Sequence, residues 1–353
     1  MEDFNKSRIM ELPRSVVIGH NALQSIGDVA RDLHLEGRGL IVADENTIRI
    51  AGEKAESLLT EKGYDIEVKL ISEATMETVE DISNFIKSKR ISFALGVGGG
   101  RPIDIAKCSS HRTGIPFISV PTAASHDGIV SSTASISVNG RNKSIKTHSP
   151  LAVVADTTVI ASSPHRLLAA GCGDIVANYT AVKDWRLARL MRNEYYSSYA
   201  AALSEMTATM LVENSAAIRP GLEESAWLVM KALVSSGVAM SIAGSSRPAS
   251  GSEHKFSHAL DIVAPGKALH GEQCGVGTIM MMYLHNGDWK MIREALANVG
   301  APTNAKELGV SDEEIIEALT MAHTLRPERY TILGDNGLTR DAAEQLAKET
   351  KVI

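Results

Sequence analysis

Short apolar runs alternate with stretches of helical periodicity over residues 1–160, and this alternation constrains the fold more than any other feature. Residues 38–44, 66–71, 92–97, 116–120 and 151–155 read as buried strands, and 51–62 and 77–89 as helices between them. A strand that returns parallel to its neighbour needs a long crossover, and a helix supplies it. The pattern therefore predicts a parallel sheet covered on both faces. Near Ser162-Ser163-Pro164 the pattern changes. Ser163 suits an N-cap and Pro164 the first helical position. Beyond it the periodicity is helical almost throughout, as at 175–192, 197–214, 225–243, 270–285 and 312–325. With ~150 residues as a guide to domain size, the 353 residues divide into an α/β domain at 1–162 and an all-α domain at 163–353.

Composition excludes several function classes. The net charge is -6, no run of Lys and Arg stands out, and aromatic residues make up 4%. A nucleic-acid partner, which needs basic surface and stacking platforms, is not expected. A small anionic substrate needs only a local positive pocket. Cys108, Cys172 and Cys274 are an odd, widely spaced set without a CxxC pair. They read as reduced thiols of a cytoplasmic protein. The start, Met1-Glu-Asp-Phe-Asn-Lys, lacks the apolar core of a signal peptide. No apolar run approaches the ~20 residues of a membrane span. Apolar helical surface in the second half suggests a homo-oligomer.

Three segments in the first half carry candidate chemistry. Gly96-Val-Gly-Gly-Gly-Arg-Pro-Ile-Asp104 follows a strand and opens a helix. Glycines there let a pyrophosphate approach the backbone, and the helix offers it free N–H groups. The spacing is not the common GxGxxG, and a tight turn without a ligand has the same composition. Asp104 caps N–H groups or holds a loop. Asp44 ends a strand, where a carboxylate accepts from a ribose hydroxyl and disfavours a 2′-phosphate, or else caps a helix. Pro121-Thr-Ala-Ala-Ser-His-Asp-Gly128 follows the fourth strand, at the sheet end where ligands bind.

The second half holds groups that suit a metal. His254 and His258 stand at i and i+4 on one helix face. Gly171-Cys-Gly-Asp174 precedes a helix, and His270-Gly-Glu272 opens another. A carboxylate with two imidazoles is a ligand set for a catalytic zinc with one open position. Glu272 orients His270 from behind or stabilises the helix start. His126, His148, His165 and His285 read as ordinary core or surface histidines.

Together these stretches resemble the iron- and zinc-dependent polyol dehydrogenase superfamily, which includes glycerol dehydrogenases and dehydroquinate synthases. Gly98-Gly-Gly-Arg-Pro-Ile-Asp-Ile-Ala-Lys107, Pro121 to Gly128, Gly251-Ser-Glu-His-Lys-Phe-Ser-His-Ala-Leu-Asp261 and His270-Gly-Glu-Gln-Cys-Gly275 match the archaeal sn-glycerol-1-phosphate dehydrogenases more closely. The resemblance implies a Rossmann-like first domain, a helical second one and a site in the cleft between them. It implies that Asp174, His254 and His270 hold one zinc per subunit, with Asp174 also touching substrate. It places Asp127 and His258 beside the substrate as catalytic residues. It puts NAD(H) or NADP(H) on Gly98, Gly99, Gly100, Arg101, Pro102, Ile103, Asp104, Thr122, Ala123, Ala124, Ser125 and Ser131, next to Asp44. The implied reaction is reduction of dihydroxyacetone phosphate to sn-glycerol 1-phosphate for archaeal membrane lipids. Glycerol dehydrogenase and a dehydroquinate synthase-like lyase are the alternatives; the lyase would carry Glu where Asp174 stands. Arg101, Lys146 and Lys255 are the candidates for the substrate phosphate. Metal ligands must be deprotonated, so binding is expected to weaken as pH falls through the histidine range.

Overall fold

A computed structural model describes residues 10–138 and 140–353, so the polar start at residues 1–6 lies outside the described residues. The strands are β1 (Ser15–Gly19), β2 (Arg38–Ala43), β3 (Asp65–Leu70), β4 (Ile91–Gly98), β5 (Phe117–Pro121), β6 (Thr133–Val138), β7 (Arg141–Lys146) and β8 (Ala152–Asp156). Six of them form one parallel sheet in the order β1-β8-β5-β4-β2-β3. The helices α1 (Ile26–Asp32), α2 (Glu53–Glu61), α3 (Met76–Lys89) and α4 (Gly100–Thr113) make the crossovers. The chain runs from β2 outward to β3, then returns to β4 on the other side of β2. This reversal leaves a crevice beyond the carboxyl ends of β2 and β4, the place where such sheets bind ligands.

Period-two side-chain alternation divides the sheet's apolar residues between two faces. Ile41, Ala43, Phe93, Leu95 and Val97 pack with Ile26 and Val29 of α1 and Ala55 and Leu59 of α2. Leu40, Val42, Ala94 and Phe117 pack on the opposite face with Val79, Ile82 and Ile86 of α3 and Ile103 of α4. The second cluster continues without a break into the helical half, through Leu168, Leu233, Phe256 and Val276. The two halves therefore share a core.

That helical half comprises α5 (Thr157–Ala161), α6 (His165–Val176), α7 (Asn178–Arg192), α8 (Ser198–Glu213), α9 (Glu223–Ala243), α10 (Ser252–Val263), α11 (His270–Leu284), α12 (Trp289–Asn298), α13 (Ala305–Leu308), α14 (Asp312–Met321) and α15 (Arg340–Glu349). Four details differ from the sequence reading. Ser163 Oγ bonds the Ile160 carbonyl behind it, and Pro164 with ψ 124° is the N-cap, so α6 starts one residue later than expected. Gly171-Cys-Gly-Asp174 lies inside α6 rather than ahead of a helix. The hairpin β6–β7 is additional; its signal is Asn-Gly at 139–140 between alternating strands. Finally, α9 is long and apolar enough to cross a membrane, with mean hydropathy 1.6 over its best window. Just over half of that window is buried, and Ala226, Val229, Met230 and Leu233 belong to the shared core. It is a core helix by packing.

One buried ion pair ties α4 to the hairpin. Lys107 has no exposed surface; its Nζ donates to the carbonyls of Gly128 and Thr133 and lies 3.4 Å from Asp104 Oδ1. Asp104 Oδ2 accepts from the backbone N–H of Ser135 at 3.1 Å. Burial pushes the lysine down and the aspartate up, and their mutual attraction opposes both shifts. Removing one partner of such a pair strands the other. Lys107→Met is expected to cost about 3–5 kcal/mol of stability, read from the denaturant midpoint. An unchanged midpoint would show that the pair is not a structural tie.

Candidate active site

The site begins with two helices that approach closer than side chains allow. A Cβ on Gly173 of α6 would lie 2.2 Å from the carbonyl oxygen of Gly271, and one on Gly271 of α11 would lie 1.9 Å from that of Ala170. Only glycine fits at either place. A Cβ on Gly171 would meet the Ala124 carbonyl oxygen at 2.1 Å, so the loop after β5 presses on the same helix. These contacts fix Asp174 between α11 and that loop.

Asp174 is buried, and its Oδ2 accepts from the Asp127 N–H at 2.9 Å. Its Oδ1 is buried without a hydrogen-bond partner. His254 Nε2 on α10 lies 3.6 Å from that oxygen, and His270 Nε2 on α11 lies 3.7 Å from it. Tetrahedral zinc with bonds of ~2.0–2.2 Å holds its ligands about 3.3–3.6 Å apart. The spacing and the orphaned oxygen both fit a divalent cation.

The far sides of the two imidazoles set their tautomers. His254 Nδ1 lies 2.9 Å from Glu253 Oε1, a carboxylate that also accepts from Thr180 Oγ1 at 2.6 Å. His270 Nδ1 lies 3.1 Å from Ser257 Oγ, which donates to Gln273 Oε1 at 2.6 Å. Ser257 thus accepts from His270. Both rings carry the proton on Nδ1 and aim Nε2 at the cation position. Glu253 and Ser257 were not singled out from sequence; a metal-ligand histidine with an adjacent carboxylate is the signal that points to Glu253. Cys274 Sγ is 3.6 Å from His270 Nε2 and belongs to the same cluster. Burial, with Asp174 and Glu253 nearby, drives its thiol well above the ordinary range.

A cavity of about 1160 Å³ connects this cluster to the sheet. Asp44, Gly99, Gly100, Arg101, Pro102, Asp104, Thr122, Ala123, Ser125 and Ser131 line it, as do Asp127, His254, His258 and His270. Gly98, Ile103 and Ala124 are buried and do not line it. A Cβ on Gly99 would meet nothing within 4 Å, so open space lies over the start of α4. Asp44 Oδ1 caps the following turn, accepting from Asn46 and Thr47 N–H, while its Oδ2 is 3.9 Å from Arg101. Asp127 Oδ2 accepts from Ser236 Oγ at 3.0 Å. Burial and then the charge of Asp174 push the Asp127 carboxyl up to about 8. Burial also holds His258 well below its ordinary value, so it is neutral.

Some assignments shift. Glu272 does not touch His270; it accepts from the Leu269 N–H at 2.8 Å and grips Arg166 with both oxygens. Its role is to cap α11. His126 is not an ordinary histidine, because it lines the cavity and its Nδ1 accepts from Gly128 N–H at 3.0 Å. Burial takes it down to about 3. His165 and His285 are structural, bonded to the Val299 carbonyl and to Asp184. Lys146 is exposed and Lys255 buried, both away from the cavity lining, whereas Arg101 is on it.

The family model for iron-containing alcohol dehydrogenases matches residues 17–164. The glycerol-1-phosphate dehydrogenase [NAD(P)+] of Methanosarcina mazei is 60% identical over 349 residues, covering 99% of this chain and 98% of the relative. The enzyme of the same name from Methanothermobacter thermautotrophicus is 56% identical over 346 residues, covering 98% and 99%. The chain belongs to the glycerol-1-phosphate dehydrogenase family. The resemblance carried by the four motifs is thereby borne out. Glycerol dehydrogenase from Schizosaccharomyces pombe shares the fold, with a TM-score of 0.82 at 21% identity over 98% of this chain and 91% of the other. Sulfoacetaldehyde reductase from Bifidobacterium kashiwanohense, solved with NAD+, shares it at a TM-score of 0.75 and 16% identity over 98% and 99%.

Two outcomes follow for a site built this way. Burial pushes Asp174 up to about 7, and the Glu253 charge adds to the shift, while His254 and His270 are pushed down. A proton on Asp174 must leave before a cation binds. Affinity is therefore full above about pH 7 and falls about tenfold per pH unit below it. Asp174 carries this competition ahead of the histidines, and chelator-competition titrations across pH 5–8 measure it. A flat profile would show that Asp174 stays ionised in the metal-free protein. Glu253→Gln is expected to weaken metal binding ~10–100-fold by loosening His254, in the same assay.

Proposed function

We propose that the chain reduces dihydroxyacetone phosphate to sn-glycerol 1-phosphate with NADH or NADPH, supplying the glycerophosphate backbone of archaeal membrane lipids. The observation that carries this reading is the convergence of His254 and His270 on the buried, unpaired Oδ1 of Asp174, beside a cavity that also takes in the Gly99–Gly100 turn. Its support from relatives is near-full-length identity to enzymes named for this activity.

In this reading Asp174, His254 and His270 hold a zinc ion. Gly99 to Pro102, Asp104, Thr122, Ala123, Ser125 and Ser131 hold the nicotinamide cofactor, and Asp44 meets the adenosine ribose. When bound, the zinc polarises the ketone as a Lewis acid and the reduced nicotinamide supplies the hydride. The chain's own part is alignment and proton handling. Ser236 orients the Asp127 carboxyl, which its surroundings keep protonated near neutral pH. Asp127 then gives its proton to the oxygen that becomes the product hydroxyl. Neutral His258 binds a substrate hydroxyl. In this reading residues 1–162 hold the cofactor and bring Asp127 to the substrate, and residues 163–353 hold the metal and the remaining substrate contacts.

Three free cysteines fit a reducing, cytoplasmic setting. Exposed Leu190, Met191, Tyr199, Met206 and Met210 on α7 and α8 fit a homo-oligomer.

The test follows NADH and NADPH oxidation with dihydroxyacetone phosphate, before and after chelation, with zinc restored. Oxidation lost with chelator and recovered with zinc is the expected result. Asp127→Asn is expected to lower kcat ~10²–10⁴-fold with zinc content unchanged. No oxidation by fully metallated protein would turn attention to unphosphorylated glycerol, then to a lyase reaction.

A further inference from the structure

The wall of the cavity holds cationic groups that neither the metal cluster nor the glycine turn uses. Arg326 lines it, just after the single turn at Ala322–Thr324, with φ 49°. Its Nη2 donates to Ser144 Oγ on the hairpin strand β7. Arg329 donates from Nη2 to Ser246 Oγ at 2.7 Å and from Nη1 to the Ser250 carbonyl at 3.3 Å. Ser144, Ser246 and Ser250 all line the same cavity, as does Asn142.

These two arginines differ from their neighbour Arg247, whose guanidinium is neutralised by both oxygens of Glu194. Among the described residues, neither Arg326 nor Arg329 forms an ion pair. Burial pushes both below the usual arginine range, Arg329 to about 10, with the like charge of Arg326 contributing. Glu328, and for Arg329 also Glu194, act against this only through weaker attraction. Two partly buried guanidinium groups, Arg326 on the cavity wall and Arg329 behind it, are unfavourable side by side unless an anion joins them. The field of both arginines also reaches His254 and His258, so the positive wall stands beside the metal cluster. A guanidinium offers a fork of donors that matches a phosphate. Serine hydroxyls and the Asn142 amide add neutral donors around it.

We propose that Arg326, braced by Ser144 and backed by Arg329, binds the phosphate of the substrate and so makes this site select a phosphorylated ketone over an unphosphorylated polyol. The assignment rests on the reaction proposed above and replaces Lys146 and Lys255 as the phosphate contacts. It also gives the β6–β7 hairpin a task. The hairpin brings Ser144 to the arginine, and the Asp104–Lys107 pair ties the hairpin to the cofactor helix.

The experiment compares Arg326→Gln and Arg326→Lys with the wild type, using dihydroxyacetone phosphate, dihydroxyacetone and inorganic phosphate as probes. For Arg326→Gln the expected KM for dihydroxyacetone phosphate rises roughly 10- to 100-fold. The kcat/KM preference for it over dihydroxyacetone falls by a similar factor, while the KM for NADH holds. Inorganic phosphate is expected to raise the Tm of the wild type and to leave that of Arg326→Gln unmoved. Unchanged KM, preference and phosphate response in Arg326→Gln would overturn the proposal. Should that variant fail to fold, Arg326→Lys keeps the charge but loses the fork. A rise in its KM for dihydroxyacetone phosphate supports the assignment and no rise overturns it. If wild type fails to turn over dihydroxyacetone phosphate, the proposed reaction falls. The anion site is then decided by the Tm response alone.

Discussion

The close approach of α6 and α11 at Gly173 and Gly271 is the contact on which the site depends. Two backbones meeting at this distance exclude every side chain larger than hydrogen. They also bring residues three positions or fewer away, Asp174 and His270, to within 3.7 Å of each other. Gly171 extends the contact to the loop after β5, so the carboxylate is held by a bond from the Asp127 N–H. The candidate metal ligands on α6, α10 and α11 are thus positioned by main-chain packing rather than by flexible side chains. Rigid placement of this kind is what keeps a metal site open at one position.

Burial then sets the chemistry. Asp174, Asp127 and Glu253 are carboxyl groups in one shielded region, and each is pushed upward by desolvation before any neighbour acts. Without a cation, that environment favours protons. With one, it favours the ionised ligand. The histidines are driven the opposite way and present lone pairs. Partial burial beside the same cavity disfavours leaving Arg326 and Arg329 unpaired. One cavity therefore brings together buried carboxyl groups, neutral imidazoles and two unpaired guanidinium groups.

Much of this was legible in the chain. The apolar runs that became β2, β4, β5 and β8 are legible to within a residue or two, because strands buried on both faces leave a continuous hydrophobic signal, and the half-exposed edge strand β3 is legible from the alternation of Ile66, Val68 and Leu70 with charged residues. The motifs at 98–107, 121–128, 251–261 and 270–275 were readable as a set, and the family they point to is the one its relatives show. Short or half-exposed elements were not. β1 is a five-residue edge strand, and the sole strong mark of the pair β6–β7 is the Asn-Gly dipeptide in the sequence between them. Arg326 and Ser144 are 182 positions apart, and nothing local marks either.

Sequence by itself determined the alternation that makes the parallel sheet, the helical second half and the residue types a metal and a dinucleotide need. These are local properties: period, cap and composition along one stretch of chain. Only the tertiary structure decided that Glu272 caps a helix, that Glu253 and Ser257 fix the two imidazole tautomers, and that Arg326 rather than Lys146 faces the cavity. Those roles turn on hydrogen-bond geometry and desolvation between distant segments, and both exist only once the packed interior has formed.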